Sequence, residues 1–129
     1  IDVQSVPTVL VMGADGGTRC AAITGAYVAL VEAVEKLNLR KNPIAEAVAA
    51  VSVGLVAGAE ILDLCYAEDS RAQVDMNVVA TASGKFIEVQ GTAEGAPYDR
   101  NRLNRLLDVA EVGLAVLFKK QEAALEGLR

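Results

Sequence analysis

The stretch from Leu62 to Asn77, Leu-Asp-Leu-Cys-Tyr-Ala-Glu-Asp-Ser-Arg-Ala-Gln-Val-Asp-Met-Asn, restricts the fold more than any other part of the chain. An apolar segment ends in the acidic turn Glu68-Asp69-Ser70, and a second apolar strand begins at Gln73. Side chains of a strand alternate between faces, so Val74, Met76, Val78 and Ala80 share one face and Asp75 and Asn77 take the other. Asp is depleted from strands, which makes Asp75 out of place on propensity alone. Asp69 at the turn and Asp75 two residues into the strand can meet at one spot, a pair of hard oxygen ligands suited to Mg²⁺ or Mn²⁺. The spacing is equally that of a solvated turn followed by an edge-strand Asp, and spacing alone does not choose between them.

Around this stretch the periodicities give an element order. Residues 1–7 have no clear pattern because Pro7 interrupts any ladder; Thr8 to Met12 reads as a short buried strand. A glycine-rich turn, Gly13 to Arg19, leads into a helix in which Ile23, Tyr27, Leu30, Val34 and Leu37 step by four and three, with Glu32 and Lys36 paired on the outer face. Asn38 to Pro43 ends it, and Ile44 to Val48 reads as a further helical turn. Val51–Val56 and Glu60–Leu64 flank Ala57-Gly58-Ala59 as a hairpin, and Gln73–Thr81 and Lys85–Gln90 flank Ala82-Ser83-Gly84 as a second. Gly91, Gly95 and Pro97 break the pattern. Asp99 then caps a long helix with Leu103, Leu107, Ala110, Leu114 and Leu117 along one face, and 122–129 either extends it or frays. Strand, helix, four strands, helix is an α+β two-layer sandwich: a mixed or antiparallel sheet with helices on one face.

With 129 residues the expectation is a single domain, 1–129, with one core, and 53% hydrophobic against 22% charged residues is a globular balance. The first residue is Ile1, which reads as a processed chain or part of a larger one. His is absent, excluding His-based triads and His-ligated zinc, and Cys20 and Cys65 lack the spacing of a structural zinc site. The formal net charge of −5 gives no whole-surface attraction to nucleic acid, so RNA contacts must come from local clusters. The run Ala47–Ala59 is too short to span a bilayer and no signal peptide is visible, so no membrane role is expected and the cytoplasm is the expected location.

Gly16-Gly17-Thr18-Arg19 stands between a strand and a helix. Glycines let backbone N–H groups approach an anion, a helix start leaves donors unpaired, and Arg19 can grip phosphate oxygens in a bidentate fashion. The spacing matches neither a P-loop nor a dinucleotide fingerprint, and a tight turn with Thr18 as N-cap fits equally well. Arg100, Arg102 and Arg105 read as a solvated helix face, and Cys65 as a small core residue within an apolar strand.

Ala14-Asp15-Gly16-Gly17-Thr18-Arg19 with Ala21 to Ala26, Tyr66 to Ser70, Val74 to Val79, and Glu88-Val89-Gln90-Gly91-Thr92-Ala93-Glu94-Gly95 together resemble ribonuclease PH, in order and in spacing. Polynucleotide phosphorylase is less similar in the acidic segment. The resemblance runs from about Ala14 to Gln121 and corresponds to the C-terminal half of the family's chains; residues 1–13 depart from the family's first strand and form an atypical N-terminal segment. It implies a phosphorolytic 3′→5′ exoribonuclease and nucleotidyltransferase, in which inorganic phosphate as co-substrate trims RNA 3′ ends, such as those of tRNA precursors, and releases nucleoside diphosphates. By matching motif, Gly17, Thr18 and Arg19 bind the phosphate. Asp69 and Asp75 are the catalytic pair and hold Mg²⁺ or Mn²⁺. The implied partners are RNA, not DNA, and further copies of the chain, assembled as a hexameric ring in the family. Two alternatives stay open: a non-catalytic RNA-binding or assembly domain of the same fold, and an unrelated carboxylate–metal hydrolase.

Overall fold

The described elements of the computed structural model, which covers residues 16–128, are α1 (Thr18–Lys36), β1 (Val48–Val56), β2 (Ala59–Leu62), α2 (Tyr66–Asp69), β3 (Val74–Thr81), β4 (Phe86–Ala93) and α3 (Arg100–Leu128). The strand expected at Thr8–Met12 and the whole atypical segment 1–13 lie outside the described residues. The four strands form one antiparallel sheet in the order β2-β1-β3-β4, the α+β arrangement anticipated from the sequence.

The alternation in β3 sets the core. Val74, Met76, Val78 and Ala80 are all buried, beside Ala49, Val51 and Val53 of β1, and α3 lays Leu106, Ala110 and Leu114 over them. Burying each of the Val, Leu and Met side chains here stabilises by roughly 1.5–3 kcal/mol, and the alanines let the layers approach closely. The positions in between, Ala50 and Val79, meet Cys20 and Ile23 of α1. β3 is thus interior to the sheet, and Asp75 is not on an edge strand.

β1 pairs with β2 only over Val53–Val56, so the other side of its first half needs other partners. α1 and α3 provide them. Thr24 Oγ1 accepts from the Ala50 N–H at 3.0 Å and donates to the Ala50 carbonyl at 3.2 Å. Gln121, 3% exposed, donates through Nε2 to the Val48 and Thr24 carbonyls at 2.9 and 3.0 Å. Side chains from two helices therefore finish a strand edge. This explains why the buried seam of α1 includes Cys20 and Val31, while Leu30 and Leu37 of the expected stripe are 41% and 66% exposed.

Several local expectations change. Ile44 to Val48 forms no helical turn: Val48 opens β1, and Glu46 is drawn to the β3–β4 turn by bonds to the Ser83 N–H and hydroxyl. The first hairpin closes with Ala57 and Gly58, both at positive φ (50° and 79°), the backbone of a tight two-residue turn. β2 stops at Leu62 because Asp63 turns left-handed (φ 59°) and sends Leu64 into the core. β4 continues through Gly91 to Ala93, since a bare Cα there admits Met76 Cε and Tyr98 Oη, which would lie 2.8 and 2.9 Å from a Cβ. Asp99 caps α3 as expected, its Oδ1 accepting from the Arg102 N–H at 2.8 Å. Arg102 and Arg105 both hydrogen-bond Glu60 Oε1, the latter at 2.9 Å, so they tie α3 to β2 instead of forming a free basic face.

Replacing Gln121 with Leu leaves the Val48 and Thr24 carbonyls without their donor. Stability should fall by about 1–3 kcal/mol, read from urea unfolding; an unchanged midpoint would show that the edge does not depend on this amide.

Candidate active site

Gly16 and Gly17 both adopt positive φ, 77° and 63°, which glycine reaches without the penalty a side chain brings. Gly16 is further constrained by space. A Cβ there would run into the Leu64 carbonyl oxygen and lie 3.0 Å from the Cys65 carbonyl carbon, so the turn rests directly on the backbone leading into α2. Gly17 is the N-cap of α1 and brings no side-chain cap, which corrects the expectation of Thr18 as cap; Thr18 is the first helical residue. Among the described residues no side chain caps the first-turn N–H groups.

Beside this helix start lies the acidic pair. Cys65 is not in a strand but is the N-cap of α2, where its N–H donates to Glu68 Oε1 at 3.1 Å, and Glu68 thus closes a capping box. This fixes the single turn of helix that ends at Asp69. Ser52, 5% exposed, supports the connection from below. Its carbonyl accepts from the Asp63 N–H at 2.7 Å and its hydroxyl from the Leu64 N–H at 3.2 Å.

Gly17, Thr18, Arg19, Asp69 and Asp75, the five residues singled out from the sequence, wall one cavity of about 160 Å³. Cys20, Ser52, Leu64 and Asn77 complete it. A depression of about 470 Å³ lies elsewhere and one of about 430 Å³ adjoins this cavity through Gly17 and Cys20, but neither is lined by Asp69 or Asp75. Asn77 was placed on the correct face by alternation alone. Ser52 was not legible, since it enters through its pairing with Asn77 across β1 and β3. Cys20 follows Arg19 at the helix start and its Sγ lies 3.5 Å from Asn77 Oδ1.

The electrostatics are those of crowded carboxylates. Burial, then the hydrogen bond that protonated Asp75 donates to Asp69 and the charge of Asp69, and finally the charge of Glu94, raise Asp75 from 3.8 to about 6. Two acids sharing a site in this way favour either a shared proton or a shared cation. Among the described residues no three Cys, Asp or Glu side chains gather as a ready-made metal cage. The pair fits Mg²⁺, which is commonly held by one or two carboxylates and completes its shell with water and substrate oxygens. Arg19 meanwhile pairs with Glu88 at 2.8 Å, a carboxylate that pattern reading had left as strand end.

Because Asp75 titrates higher in the native protein than when unfolded, the native state holds the extra proton between about pH 4 and 6. Stability from this group is therefore greatest at the acid end and is lost as pH rises through about 6. Asp75→Asn removes that loss. Thermal melts at pH 7.5 should show a gain of about 1 kcal/mol, allowing for solvent screening, and the acid-side pH dependence should flatten; identical pH profiles for both proteins would contradict this origin of the strain.

With this geometry in place, the relatives are informative. Residues 46–113, just over half of the chain, match the model of domain 2 of the 3′ exoribonuclease family. That segment contains Asp69 and Asp75, whereas Gly17–Arg19 join the site through the fold. The crystal structure of rice (Oryza sativa) Rrp46 superposes with a TM-score of 0.74 at 19% sequence identity, covering 96% of this chain and 61% of that one. The chain thus spans about 61% of the length of that relative, and the likeness is one of fold. The chain belongs to the 3′ exoribonuclease family, the ribonuclease PH-like proteins recognised in its motifs.

Proposed function

We propose that this chain carries the reaction centre of a phosphorolytic 3′→5′ exoribonuclease, using inorganic phosphate to shorten RNA 3′ ends such as those of tRNA precursors. The observation that carries the reading is that the Gly17–Arg19 turn and the Asp69/Asp75 pair wall the same small cavity. Phosphoryl transfer is mostly positioning and charge neutralisation, and these two features are the parts it requires.

In this reading the open N–H groups at the start of α1 and the guanidinium of Arg19 hold inorganic phosphate and aim one oxygen at the last phosphodiester. A bond forms from that oxygen to phosphorus as the bond to the O3′ of the preceding nucleotide breaks. The terminal nucleotide leaves as its 5′-diphosphate. Asp69 and Asp75 would hold Mg²⁺ or Mn²⁺, which when bound would offset the charge on the phosphate oxygens. Without a cation between the pair, Asp75, shifted to about 6, is instead suited to give a proton to the departing O3′. RNA as substrate and a ring of further copies follow from family membership and belong to this proposal.

A second reading, an RNA-binding or assembly role without turnover, is favoured by one observation. Arg19, Arg102 and Arg105 are each engaged by a glutamate, which leaves these cations less available to an RNA backbone.

Incubation of the chain with a short RNA, Mg²⁺ and labelled inorganic phosphate separates the readings. Labelled nucleoside diphosphate is expected, and Asp75→Asn should reduce its formation by at least about a hundredfold, in line with removal of a charge-stabilising group. Monophosphate without label would mean hydrolysis. No product, even after addition of the remaining part of a family member's chain, would favour the binding role.

A further inference from the structure

The cavity is flanked by a carboxylate that the reaction above does not use. Glu88 stands on β4 opposite Val79, and its neighbours at alternate positions, Gln90 and Thr92, lie opposite Asn77 and Asp75. Glu88 is therefore on the side of the sheet that carries the acidic pair. Its Oε2 accepts a hydrogen bond from Arg19 Nη2 at 2.8 Å, and the two side chains are 38% and 50% exposed. Arg19 is the cationic side chain among the residues walling the cavity.

A carboxylate and a phosphate present the same chemistry to a guanidinium: two oxygens spaced for its fork. We propose that Glu88 is an internal competitor for phosphate, occupying Arg19 in the empty site and surrendering it when inorganic phosphate arrives, so that this pair sets the phosphate concentration the site responds to. The inference rests on the reading of Gly17–Arg19 as the phosphate cradle. The pair is partly open to water, and exposed ion pairs contribute little, on the order of two- to fivefold in an equilibrium constant, so an incoming phosphate can displace it. The hydrogen bond and charge of Glu88 raise Arg19 above its ordinary value, but a guanidinium is charged either way, so the pair governs its availability and not its charge.

The obvious different role for Glu88, holding Arg19 in a productive pose, predicts the opposite sign. If Glu88 positions Arg19, removing its charge weakens phosphate binding; if it competes, removing its charge tightens binding. Calorimetric titration of the full chain with inorganic phosphate, with Mg²⁺ present, decides without any need for turnover. Glu88→Gln should lower the phosphate Kd about threefold, and Glu88→Thr, which keeps a strand-forming residue, should do the same. In an Arg19→Ala background the gain should vanish. An unchanged or raised Kd in both Glu88 variants overturns the competition while leaving the cradle intact, as does a gain that persists undiminished without Arg19. Should Arg19→Ala alone bind phosphate as tightly as the natural chain, the cradle falls and the competition falls with it.

Discussion

The site depends on one close approach: the backbone at Gly16 against the backbone of Leu64 to Tyr66. No side chain fits between them, and a left-handed Gly16 is what lets the chain turn there and enter α1. The contact brings the start of a 19-residue helix to the entry of a four-residue one. Two of the charged walls follow from it, since Arg19 comes just after Gly17 and Asp69 closes α2, while Asp75 is brought in by β3. Ser52 supports the same junction from the sheet, with its carbonyl and hydroxyl both taken by the Asp63–Leu64 turn. Two small devices, a bare Cα and a buried hydroxyl, thus convert a generic helix–sheet packing into a cavity with a helix start on one wall and acids on the other.

The chain carries strain at this place. Asp75 is in an interior strand, next to Asp69 and in the field of Glu94, with its affinity for a proton raised to near the neutral range. A fold selected only for stability would put an apolar or amide side chain there. Perturbed carboxylates in a cleft are the usual mark of a site, because the charge repulsion that costs stability is what recruits a cation or a proton. The opposite wall is balanced differently. Arg19 is matched by Glu88, so the cavity has an internal ion pair on one side and mutually repelling acids on the other. In the proposed reading a divalent cation would relieve the repulsion between the acids, and phosphate would take Arg19 over from Glu88.

Much of this was legible in the sequence because it rests on short-range rules. The two-residue alternation separated Val74, Met76 and Val78 from Asp75 and Asn77, and the Gly-Gly-Thr-Arg turn announced a helix start with open donors. Asp99 as a cap and Ala57-Gly58 in a tight turn are equally local. What the sequence hid was long-range. Nothing near Ser52 says that it pairs with Asn77, and nothing near Glu88 says that it meets Arg19, 69 positions away. The arginines at 102 and 105 looked free for the same reason; Glu60, their shared partner, is across the sheet–helix junction. Gly91 read as a breaker because glycine weakens strands on average, whereas here its missing side chain makes room for Met76 and Tyr98. Local pattern found the faces, and tertiary packing decided the partners.

The central claim is that an oxyanion seat and a cation seat face each other across one small space. Its most direct measurement is a crystal structure of the chain grown with Mn²⁺ and phosphate, using the anomalous signal of manganese to place the metal. The account predicts a manganese peak bonded to carboxylate oxygens of both Asp69 and Asp75, with phosphate against the backbone of Gly17 to Arg19 in the same cavity. Manganese bound elsewhere, or phosphate seated away from the start of α1 while the acidic pair remains bare, would contradict it.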